Sequence, residues 1–109
     1  MITHESPGGT PVRKVREVLR TNPLGFPQQA RIESALSCRM VSAVWNAVRP
    51  DLLLHGHMHI PDAGTTEDGR RVVSMGCDGQ QGNLKFLDLQ SLELETPTLR
   101  KIRSAAGRE

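Results

Sequence analysis

The stretch Asp51-Leu52-Leu53-Leu54-His55-Gly56-His57-Met58-His59 sets the fold expected of this chain. Three consecutive leucines between Pro50 and Gly56 predict a short buried strand of the kind found inside parallel sheets. Beyond Gly56 come His57 and His59. Alternate residues of an extended segment point to the same side, so these two imidazoles are expected to face one site together. Neutral imidazole is the commonest protein ligand for transition metals. A rigid apolar arm holding metal ligands at the edge of a sheet is therefore expected.

Upstream of this arm, Ile32, Leu36, Met40, Val44 and Val48 repeat every four residues, with Ala35, Val41 and Trp45 beside them. This spacing predicts a helix from about Gln28 to Val48, ended by Pro50, with the apolar row covering one face of a sheet. Thr21 to Pro27 reads as a turn-rich loop. Val12, Val15, Val18 and Leu19 predict a shorter helix over 11–20, with Thr10 able to cap and Pro11 suited to its first position. Its basic residues, Arg13, Lys14, Arg16 and Arg20, are expected on a solvated face. At the N-terminal side, Met1-Ile2-Thr3-His4 reads as the end of a strand, and His4 sits at its tip.

Downstream, residues 60–64 read as a loop. Asp68-Gly69 predicts a hairpin turn leading into a strand from Arg71 to Met75. Residues 77–82 form a polar, glycine-rich loop. Residues 83–89 alternate as a strand does, and 92–95 are their expected hairpin partner. Residues 1–95 are thus read as one α/β unit, a partial layered sheet with covering helices. Residues 96–109 are read as a basic tail expected to fray.

The 109 residues suffice for one small domain. Only 37% are hydrophobic and three are aromatic, so the core must rest on Leu, Val and Ile. A net charge of +2 does not by itself indicate nucleic acid. Cys38 and Cys77 are too few for a disulfide framework and are expected as reduced thiols. No signal-peptide pattern and no apolar run of membrane-spanning length occur, so a soluble, cytoplasmic protein with no membrane partner is expected.

All four histidines, His4, His55, His57 and His59, lie at or next to expected strand ends. The carboxyl ends of parallel strands are where α/β sheets build their sites. If the strands before His4 and before His57 are neighbours, the three imidazoles His4, His57 and His59 meet as metal ligands. His55 is expected in a supporting or packing role behind them.

Leu52-Leu53-Leu54-His55-Gly56-His57-Met58-His59 resembles the last signature of the calcineurin-like metallophosphoesterases, an apolar strand followed by Gly-His-x-His. Thr3-His4-Glu5-Ser6-Pro7 resembles the signature before it, a strand-end histidine in a Thr-His-x-x-Pro context. The similarity covers residues 1–95 and corresponds to the second half of that family's α/β sandwich. It implies hydrolysis of phosphate mono- or diesters by water activated on two divalent or trivalent metal ions, such as Mn, Fe or Zn. By position, His4 and His57 would bind one ion and His59 the other.

The family's first half also carries Asp-x-His, Gly-Asp-x-x-Asp and Gly-Asn-His-Asp/Glu motifs, and none of these is present here. The resemblance therefore implies a C-terminal fragment or split subunit. No residue of it is assigned as catalytic, and the isolated chain is expected to be inactive. A missing N-terminal half, or a second copy, is the expected partner, the substrate being a phosphate ester. Nucleic acid enters only as a possible substrate. Two alternatives remain open. One is a non-catalytic module in which His4, His57 and His59 hold a single zinc, with Cys77 or water as the fourth ligand. The other is a small basic protein that holds no metal and contacts nucleic acid through its helix and tail.

Overall fold

The computed structural model describes residues 1–107. Its elements follow in the order β1 (Ile2–Thr3), α1 (Arg13–Thr21), α2 (Gln28–Val48), β2 (Leu52–His55), β3 (Asp62–Thr65), β4 (Arg71–Ser74), β5 (Phe86–Leu87), β6 (Leu94–Glu95) and α3 (Leu99–Ala106). The triple-leucine stretch forms β2, inside a four-stranded sheet of order β1-β2-β4-β3. Both β1 and β4 run parallel to β2, and β3 runs antiparallel to β4. The architecture is mixed α/β with a mixed sheet and three helices.

Burial on both sides explains why β2 is continuously apolar. On one side Leu53 and its register partner Val72 pack with Val12, Val15 and Trp45. His55 and Ser74 lie two residues further along the same strands and therefore share that side. On the other side Leu52 and Val73 are buried. There the Arg71 guanidinium donates to the Leu92 carbonyl, tying the sheet to the small β5–β6 ribbon.

Helix α2 has the expected bounds, Gln28 to Val48. Pro27 precedes it. Arg49, in the left-handed region at φ 51°, closes it with an amide bond to the Trp45 carbonyl of 2.8 Å. Its orientation is not the expected one. Cys38 and Trp45 are buried, whereas Ile32, Leu36, Met40, Val44 and Val48 all point to solvent, Met40 being 72% exposed. Polar anchors on the opposite side set this rotation. The Gly8 amide donates to the Cys38 carbonyl at 2.9 Å, and Ser42 Oγ donates to the Gly8 carbonyl at 3.2 Å. The Arg70 guanidinium lies 4.2 Å from the Trp45 ring centroid, a cation–π contact.

Four further expectations are corrected. Helix α1 starts at Arg13 rather than 11, because Thr10 Oγ1 accepts the Val12 amide at 3.2 Å and holds a separate turn before it. Residues 62–64, expected as loop, belong to β3. A Cβ on Gly64 would lie 2.3 Å from the Pro11 carbonyl oxygen, so glycine is what lets β3 pass against the start of α1. The strand expected over 83–89 is reduced to Phe86–Leu87, since the Asp88 carboxylate accepts the Gln90 and Ser91 amides at 2.9 Å each and turns the chain. The segment expected to fray carries α3, capped by Thr98 Oγ1 on the Lys101 amide, with no residue buried. Residues 108 and 109 of that segment lie outside the described residues. Among the described residues, no helix is long and apolar enough to cross a membrane.

Candidate metal centre

β1 and β2 end side by side, Thr3 in register with His55. The Gly56 amide continues the pairing by donating to the His4 carbonyl at 3.2 Å. His4 and the Gly56-His57 turn therefore emerge together at the carboxyl edge of the parallel strands. This is the neighbouring-strand arrangement that the sequence required for His4 and His57 to meet.

They do meet. His57 Nδ1 lies 3.0 Å from His4 Nε2, and the two rings stand edge to face with centroids 4.8 Å apart. Glu5, whose side chain is 12% exposed, places Oε2 3.4 Å from His57 Nε2. A carboxylate beside Nε2 favours the tautomer protonated there, which leaves Nδ1 with its lone pair toward His4. Two imidazole nitrogens on one tetrahedral ion, each about 2.0–2.1 Å from it, stand about 3.3 Å apart. The 3.0 Å separation of His4 Nε2 and His57 Nδ1 is close to that spacing.

The turn that presents His57 is strained. The Met58 amide donates to the Gly56 carbonyl at 2.7 Å, which closes a γ-turn with His57 at its centre, φ 64°. A γ-turn with positive φ is rare and costly for a residue bearing a Cβ. The same Gly56 oxygen also accepts from His55 Nδ1 at 2.9 Å, so His55 carries its proton on Nδ1. His55 is 1% exposed. Burial lowers its affinity for a proton below the ordinary histidine value, and the ring is neutral.

His59 is placed differently. β2 ends at His55, and both His57 and His59 have positive φ, so the alternation of an extended strand stops before them. His59 is exposed, at φ 57°. Among the described residues, no three His, Cys, Asp or Glu side chains converge on one point. His4 and His57 are brought together; His59 is not drawn into their contact.

Two participants had no signal in the sequence pattern. Glu5 was legible only as the residue after His4. Cys38, on α2, is buried against Glu5, and its thiol is pushed up to about 11, first by burial and then by the neighbouring Glu5 carboxylate. Cys38, Glu5, His57 and His4 thus form a chain of polar groups leading from the interior to the surface. Beside Glu5 and His57 an open groove of about 910 Å³ runs between α1 and α2, with Val18, Leu19, Phe26 and Ile32 among its lining. No family model matches the chain, and neither curated proteins nor solved structures give a match.

Proposed function

We propose that this chain contributes to a metal-dependent phosphoesterase site as a C-terminal fragment or split subunit, the remaining ligands coming from an N-terminal half outside this sequence. The observation that carries this reading is the contact of His4 and His57, two strand-end imidazoles far apart in sequence whose ring nitrogens lie 3.0 Å apart. His4 Nε2 and His57 Nδ1 would hold one divalent or trivalent ion (Mn, Fe or Zn), and His59 would serve a second once the partner's carboxylates are in place. Bound metal supplies Lewis acidity and a water ionised near neutral pH.

The work of this chain's own residues follows from their positions. Glu5 orients the His57 ring and keeps its proton on Nε2, so Nδ1 is the ligating nitrogen. The γ-turn fixes that ring before any ligand arrives. The groove beside Glu5 and His57 is a place for the organic group of a phosphate ester; its apolar walls favour a substituent that gains by leaving water.

The test is hydrolysis of bis(p-nitrophenyl) phosphate with Mn, Fe or Zn. The chain is assayed alone, and together with a polypeptide bearing Asp-x-His, Gly-Asp-x-x-Asp and Gly-Asn-His motifs. Activity is expected only from the mixture and is expected to be lost in His57→Ala. Full activity in folded His4→Ala and His57→Ala variants would overturn the assignment. The second reading is a non-catalytic module in which His4, His57 and His59 hold one zinc; the His4–His57 contact serves it equally, and His59 would have to swing in as the third ligand. One zinc bound per chain, with no hydrolysis in any mixture, would establish it instead.

A further inference from the structure

Among the described residues, three buried side-chain atoms lack partners, Trp45 Nε1, His55 Nε2 and Ser74 Oγ, and the last two lie beneath the candidate site. His55 Nε2 and Ser74 Oγ, on residues 1% and 0% exposed, form no hydrogen bond. They stand on adjacent parallel strands in direct register, His55 opposite Ser74, and so point to the same side of the sheet. Their capacities are complementary. His55 gives its one ring proton to the Gly56 oxygen, which leaves Nε2 as an acceptor, and a serine hydroxyl is a donor. Buried polar groups are almost always satisfied, and an acceptor and a hydroxyl buried on the same side of adjacent strands can satisfy each other directly or through a water between them.

We infer that Ser74 and His55 form a buried positioning pair for His57. The Ser74 hydroxyl donates toward His55 Nε2, with an internal water spanning any remaining distance. His55 Nδ1–H in turn grips the Gly56 oxygen, the same acceptor on which the Met58 amide closes the turn. The pair therefore holds the strained His57 turn from inside the sheet. Neither residue touches the ion; each acts through the backbone that carries His57. The inference rests on His57 being a metal ligand, as proposed above, but its hydrogen bonds are measurable without any metal.

The first measurement is ring ¹⁵N NMR of the whole chain without metal. His55 is expected as the Nδ1–H tautomer, with the Nε2 resonance alone shifting in Ser74→Ala and the Met58 amide exchanging several-fold faster in that variant. An Nε2–H tautomer, or a Ser74→Ala variant in which neither Nε2 nor Met58 responds, would overturn the pair. The second measurement is zinc affinity. Loss of an outer partner of a metal-ligating histidine costs about 10–100-fold, and His55→Phe is expected in that range. His55→Asn, whose amide can still donate to the Gly56 oxygen, is expected within about threefold of the parent. A role in packing alone would reverse that order, since phenylalanine fills the space better. A folded His55→Phe that binds zinc like the parent sinks the inference. If His55→Phe does not fold, Ser74→Ala decides through NMR. If the parent chain binds no zinc at all, the single-zinc reading fails, and the tautomer and exchange measurements still judge the pair.

Discussion

Along α2, Cys38 and Trp45 are 5% and 4% exposed, whereas Met40 and Val48 are 72% and 61% exposed. Both sides offer apolar side chains; they differ in what surrounds them. The inner side meets Gly8, bonded to the Cys38 carbonyl and Ser42 Oγ, and Arg70, stacked on Trp45, and these contacts lock the helix rotation. The outer row stays largely in solvent, from 47% exposed at Ile32 to 72% at Met40. Polar anchors at a few fixed points have set which apolar face is buried, although the longer apolar row lies on the other face.

The largest effect expected from this contrast is at Trp45. Truncation of a buried tryptophan costs about 3–5 kcal/mol, so Trp45→Ala should lose that much in a urea melt. A loss below about 1 kcal/mol would mean that the inner face is not the packed one.

Cys38 gives the next effect, and it depends on pH. Its thiol is held at about 11 in the folded chain against 9.0 as the reference value. Between these values the unfolded chain gives up its proton first, so stability is complete below pH 9 and falls as the pH rises toward 11. Urea midpoints taken at either end of that window should differ, and Cys38→Ser should flatten the difference. Thiol-specific reagents should label the more exposed Cys77 before Cys38 at neutral pH.

The smallest effect is expected on the outer face. Met40→Gln should change stability by no more than about 0.5 kcal/mol and leave the sedimentation behaviour unchanged. A substantially larger loss, or a shift in molecular mass, would show that this face is covered in solution.

The contrast in α2 also marks where sequence reasoning stops. The helix bounds were legible because Pro27 and Pro50 bracket a continuous period. β2 and the Asp68-Gly69 turn were legible because apolar runs and glycine turns are local signals. The rotation of α2 was not, because it depends on Gly8 and Arg70, which are remote in sequence. β3 was hidden by Gly64, read as loop chemistry when its use is close passage beneath Pro11. At the candidate site, the meeting of His4 with His57 followed from strand-end logic. The supporting places of Glu5 and Cys38 did not, and the positive φ of His57 and His59 broke the alternation expected to keep them together.

The pairing of β1 with β2 has a consequence for how the site comes into being. The two imidazoles in contact are 53 residues apart. At about 5–20 residues per second, His57 follows His4 out of the ribosome only after about 3–10 s. β1 can pair only when β2 has emerged and the intervening helices have folded back, because the closure of so long a loop is unfavourable until packing compensates it. The two ring nitrogens therefore come together only on a chain that has already committed to its fold. In a nascent chain stopped before β2, His4 therefore stands without His57.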